Sequence, residues 1–135
     1  MAKKYSTSWW NKRLDKLLMQ AVRVRENMVC EHCKKKITSG GDAHTSHIIP
    51  KGGNPSIRFE LLNVLLLCYR CHLYWWHKEV LDAGKWYEEN YPDSYKALMK
   101  MKVDRVGSKF TRLDYEMMEE YLKSKIEDYT KEIME

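Results

Sequence analysis

Between residues 8 and 27 apolar side chains return every three or four positions, at Trp10, Leu14, Leu17, Leu18, Ala21 and Val22. That spacing predicts an amphipathic helix starting at Ser6 or Ser8, with Ser8 as its N-cap and Lys12, Arg13, Lys16, Arg23 and Arg25 on the other faces. The rhythm then stops. Residues 30–57 contain Gly40, Gly41, Gly52, Gly53, Pro50 and Pro55, which predicts turns and short strands. His44–Ile49 reads as one short strand and Leu62–Leu67 as a second, buried one. Tyr69 to about Ala83 reads as a helix closed by Gly84, followed by another helical turn over 85–90. Pro92 suits the first turn of a helix running to about Val106, and Gly107 and Ser108 break the chain. Thr111 and Asp114 have the spacing of a capping box. Met118, Leu122, Ile126, Tyr129 and Ile133 then continue as a long helix.

With 135 residues, 44% hydrophobic and 32% charged, the chain has the composition of one globular domain. Its expected parts are a basic helix over 1–28, a cysteine-containing core over 29–83 and a helical extension over 84–135. The apolar run from Val64 to Tyr69 is far too short for a membrane span. The opening residues lack the apolar stretch of a secretory signal, so a cytoplasmic protein is expected. Charge is unevenly placed. Residues 1–36 carry ten Lys/Arg against Asp15, Glu26 and Glu31, while residues 79–135 carry ten basic and fourteen acidic side chains. A basic front half suits a polyanionic partner; it is also what a lysine-rich solvated surface looks like.

The four cysteines form two C-x-x-C pairs, Cys30/Cys33 and Cys68/Cys71, with 34 residues between them. Two such knuckles supply the four soft ligands of tetrahedral zinc, in a closed site that holds the fold and leaves no position for catalysis. A thioredoxin-like redox centre would need one C-x-x-C inside a βαβ unit, and the pattern contains none.

Polar residues that zinc does not explain lie beside the knuckles. They are His44, Ser46 and His47 in Ala-His-Thr-Ser-His-Ile-Ile-Pro, Asn63 in Leu-Leu-Asn-Val-Leu, and His72 in Cys-Tyr-Arg-Cys-His, with His77 five residues on. His32 lies inside the first knuckle and reads as an exposed residue. The order C-x-x-C, Ser-His-Ile-Ile-Pro, Gly-Gly, Asn-Val, Leu-Cys-x-x-Cys-His resembles the HNH endonucleases of the zinc-stapled ββα-metal type. More narrowly, Ser-His-Ile followed by Ile-Arg-Phe and Asn-Val is similar to phage recombination nucleases of the NinG kind. The resemblance spans about residues 30–78 and leaves the flanking helices aside.

The resemblance implies an α+β protein, with a small ββα-metal HNH core stapled by the four-cysteine zinc site. An N-terminal helix and C-terminal helices flank that core. His47 then matches the general base, His72 the histidine that holds a catalytic divalent cation, and Asn63 the asparagine that fixes the loop. The expected reaction is metal-dependent hydrolysis of DNA phosphodiesters, in a bacterial host's cytoplasm if the protein serves a phage or mobile element. Ser46 departs from the family, which places a metal-binding Asp or His there. Either Ser46 through a water, His44 or His77 would then supply the second ligand, or the metal would bind weakly. Mg2+ or Mn2+ suits an oxygen-rich site, and Zn2+ or Ni2+ a histidine-rich one. Lys51, Arg58 and Arg70 are the candidate phosphate contacts, Arg58 as a bidentate clamp. Tyr74, Trp75 and Trp76 read chiefly as helix packing. Cutting both strands would need a homodimer, for which the C-terminal helix is the expected interface. Two rivals remain: a non-catalytic zinc-knuckle DNA-binding accessory protein, favoured by Ser46, and a structural zinc domain that binds another protein.

Overall fold

A computed structural model describes residues 4–105 and 109–135; the expected break at Gly107 and Ser108 lies outside them. Helix α1 spans Thr7–Arg25 and buries the apolar stripe read from the sequence, Trp10 through Val22. Its N-cap is Ser6, not Ser8: Ser6 sits in extended backbone and its hydroxyl accepts from the Trp9 N–H at 3.1 Å, while Ser8 is already helical. The helix ends where Asn27 and Met28 turn left-handed (φ 51° and 55°) and the Met28 N–H reaches back to the Arg23 carbonyl at 3.0 Å.

That reversal leads straight into the first knuckle. An isolated bridge pairs Val29 with Lys36, and the Cys30 N–H donates to the Lys35 carbonyl. Lys34, at φ 66°, makes the tight turn between them. Strand β1 (His44–His47) then pairs antiparallel with β2 (Val64–Leu67), with His44 opposite Leu67 and Ser46 opposite Leu65. Both strands are shorter than the sequence suggests. Ile49 leaves the ladder because its N–H and C=O are taken by the Asn63 side chain, and Leu61–Asn63 forms a 3-10 turn. Every residue of β2 is buried, wedged between β1 and α1.

After β2 the expected helix over 69–83 is replaced by two pieces. Cys71–Trp76 winds as a π-helical turn, in which the His77 N–H reaches the His72 carbonyl at 3.2 Å. Helix α2 follows at Val80–Asn90 and runs through Gly84, which therefore does not close a helix. Glycine stops a helix where the chain needs a left-handed residue, and Gly84 occupies no such position. Helix α3 spans Pro92–Asp104, and α4 spans Arg112–Met134 behind the capping box of Thr111 and Asp114. Helix α4 lies along α1, where Trp10 stacks on Tyr115 (centroids 5.4 Å, planes 6° apart) and Arg13 pairs with Glu119 at 2.8 Å. The protein is thus α+β: a two-stranded sheet flanked by one N-terminal helix and three C-terminal ones.

Candidate metal and histidine sites

The knuckle turn and the start of the π-helical turn bring Cys30, Cys33, Cys68 and Cys71 together, all four Sγ within 4.8 Å of one another. The Cys33 and Cys68 sulfurs are 3.8 Å apart, far beyond a disulfide bond. They match the edge of a sulfur tetrahedron around zinc, about 3.8 Å for Zn–S bonds of about 2.3 Å. The donor set fits a structural zinc ion. Three of the thiols are buried and Cys33 is exposed. Burial, reinforced by the neighbouring thiols, holds Cys71 above the usual thiol range, so metal uptake must release protons.

A buried polar strut that no sequence pattern marks positions the first knuckle. Glu31 is 5% exposed; one carboxylate oxygen accepts from the Leu66 N–H at 2.6 Å and the other from the Tyr91 hydroxyl at 2.9 Å. Arg25 reaches the same carboxylate and donates to the Leu61 and Val64 carbonyls at 2.9 Å each. Glu31 therefore fastens knuckle, sheet and α1 together. Burial, with Glu26 nearby, raises its pKa against these favourable contacts.

Three histidines form a chain on the outer side of β1. Nδ1 of His44 lies 2.8 Å from Nδ1 of His72, and Nε2 of His72 lies 2.9 Å from Nε2 of His77. The π-helical winding is what brings His77 back over His72, since residues five apart on an α-helix point about 140° away from each other. One proton arrangement satisfies every contact. The Gly41 carbonyl can only accept, so Nε2 of His44 donates to it at 3.0 Å and Nδ1 of His44 is left as a free base. Nδ1 of His72 donates to that base, and Nε2 of His72 accepts from His77. This arrangement holds for three neutral rings. Burial, with His77 and His44 alongside, pushes His72 down to about 4.

His47 stands on the opposite face of β1 from His44 and lines a cleft of about 290 Å3 with Pro50, Trp76, His77, Tyr87 and Tyr95. Its Nε2 donates to the Arg58 carbonyl at 2.9 Å, which leaves Nδ1 as the basic nitrogen. Burial holds its pKa below the ordinary imidazole value, outweighing the Arg58 carbonyl, which raises it. Asn63 is fully buried: its Oδ1 accepts from the Ile49 N–H at 2.8 Å, and its amide donates to the carbonyls of Ile49 (3.0 Å) and Ile57 (3.2 Å). It ties Ile49 to Ile57, the residue just before Arg58.

Other expected site residues are placed differently. Ser46 is 1% exposed, and its hydroxyl has no hydrogen-bond partner. The Arg58 guanidinium is already held by Asp15, at 2.6 and 3.2 Å, so its fork is not free to clamp a phosphate. Lys51 and Arg70 are exposed. Of the aromatic trio, Trp75 packs on His32 and Trp86, Trp76 lines the cleft, and Tyr74 is exposed beneath the Lys78 ammonium. His32 is half-buried against the cysteine site, where the sequence suggested simple exposure. No described helix is long and apolar enough to cross a membrane. Comparisons of the chain with family models, curated proteins and solved structures find no match.

Proposed function

We propose that this protein is a metal-dependent DNA endonuclease of the HNH kind, with His47 as general base. One observation carries the reading. The Arg58 carbonyl fixes His47 with its basic Nδ1 free, in a cleft shared with His77, which in turn touches the His72 and His44 pair. His47 takes a proton from water as the water oxygen bonds to phosphorus; the bond from phosphorus to the leaving oxygen breaks, and solvent returns a proton to that oxygen.

His72 and His44 are the residues that would hold the divalent cation. Two ligand nitrogens on one ion at about 2.1 Å lie roughly 3 Å apart, close to the 2.8 Å found here. The carbonyl bond from Gly41 also leaves His44 in the ligating tautomer, an arrangement common among metal-bound histidines. His72 can present Nδ1 with His44 or Nε2 with His77, from separate edges of its ring, so the three do not converge on one point. His44 therefore takes the place that the Ser46 departure left open. A bound cation would polarise the scissile phosphate and stabilise the leaving oxygen. A pair of imidazoles moves the expected metal from Mg2+ towards Mn2+, Ni2+ or Zn2+.

Lys51, close enough to His47 to lower its pKa, and exposed Arg70 would contact the DNA backbone. Leu113, Met117 and Tyr121 are exposed along α4 and would form the face a second copy uses if both strands are cut. The burial of Ser46 and the capture of Arg58 by Asp15 favour the rival, a DNA-binding accessory protein without catalysis. Metal-dependent nicking of plasmid DNA, lost in His47→Ala, separates the two.

A further inference from the structure

His32 is accounted for neither by the four cysteines nor by the proposed base. It belongs to the first knuckle, in Cys30-Glu31-His32-Cys33, yet its Nδ1 lies 3.2 Å from the Cys71 sulfur of the second. Its ring lies flat on Trp75, with centroids 3.5 Å and planes 7° apart, and Trp86 meets it edge-on at 5.2 Å. Trp75 is part of the π-helical turn that begins at Cys71. The histidine thus crosses between the knuckles twice, once by a polar contact and once by a stacked one.

We propose that His32 is a positioning residue of the cysteine site, its Nδ1–H donating a hydrogen bond to the Cys71 thiolate while Trp75 holds the ring in place. A thiolate has no proton to give, so the nitrogen must be the donor. Four thiolates carry two more negative charges than a divalent cation offsets, and three of these cysteines are buried. An N–H aimed at one sulfur stabilises that charge without occupying a coordination position. The same ring locks the first knuckle to the turn that carries His72 and His77.

The test is Co2+ substitution in the full chain, with the zinc form challenged by a chelator. Wild type should show the spectrum of four-sulfur tetrahedral Co2+. His32→Phe keeps a flat ring against Trp75 and removes the donor. It should shift the sulfur-to-cobalt charge-transfer bands to lower energy and speed zinc loss about 10- to 100-fold. His32→Asn, whose amide nitrogen can stand where Nδ1 stands, should recover most of both effects. The proposal is overturned if His32→Phe matches wild type, since stacking alone would then explain the contact. A wild-type spectrum of three sulfurs and one nitrogen would make His32 a ligand and overturn it too. So would failure of both variants to bind Co2+, which would show that neither a stacked ring nor an N–H donor suffices and that the site requires the imidazole itself.

Discussion

His44 and His72 meet Nδ1 to Nδ1 at 2.8 Å, across the junction of β1 and the π-helical turn. The pairing is possible because β1 sets His44 opposite Leu67, the last residue of β2, and the chain needs only the second knuckle to reach His72. With the Gly41 carbonyl fixing the outer nitrogen of His44, the pair would share a cation once the His72 proton moves from Nδ1 to Nε2, where it can face His77.

Metal dependence should follow that geometry. His72→Ala should abolish metal-supported cleavage, and His44→Ala should raise the Mn2+ or Ni2+ concentration needed for half-maximal nicking about 10- to 100-fold. His77→Ala should cost less. Metal titrations of plasmid nicking check this; a larger loss in His77→Ala than in His44→Ala would move the cation to the other edge of His72.

The His47 pKa is depressed, so the ring stays unprotonated, and able to act as a base, below the usual imidazole midpoint of about 6.5. Cleavage should hold from neutral pH down through that value and fall only in more acid solution. A rate-against-pH profile at saturating Mn2+ with the acid limb above about 6.5 would contradict the proposed environment.

Asn63→Ala removes one acceptor and two donors from a site with no water access, leaving the Ile49 N–H and the carbonyls of Ile49 and Ile57 unmatched. The expected cost is about 3 kcal/mol, read from urea unfolding of the zinc-loaded protein. A loss below about 1 kcal/mol would mean that the loop finds other partners.

Gly84 sits inside α2 with open space where a Cβ would point. Gly84→Ala should stabilise the protein by about 0.5–1 kcal/mol, through helix propensity and a less flexible unfolded chain. Thermal unfolding checks this, and a lowered midpoint would show that the position is needed bare.

The sequence carried the features that repeat or pair locally. The stripe from Trp10 to Val22, the Thr111–Asp114 box and the two C-x-x-C pairs are each written in spacing over a few residues, and each is present in the structure. What it did not carry depends on partners far along the chain. Arg58 looks free until Asp15, 43 positions earlier, is folded against it. Glu31 looks like one more surface acid, although Leu66 and Tyr91 enclose it. The π-helical winding at Cys71–Trp76 has no periodic signature at all, because the second knuckle and the packing of Trp75 on His32 impose it. Gly84 misled for the converse reason: a glycine with no conformational task resembles a helix stop.

In the proposed reaction His47 activates water for metal-assisted cleavage of DNA. The most direct measurement is conversion of supercoiled to nicked plasmid by the zinc-loaded protein, with Mg2+, Mn2+, Ni2+, Zn2+ or EDTA, beside a His47→Ala variant shown to keep its zinc and its helical content. Nicking with Mn2+ or Ni2+, absent in EDTA and reduced at least about 100-fold in the variant, is the expected result. Cleavage by His47→Ala at the wild-type rate, or salt-sensitive DNA binding with no cleavage under any metal, would contradict it.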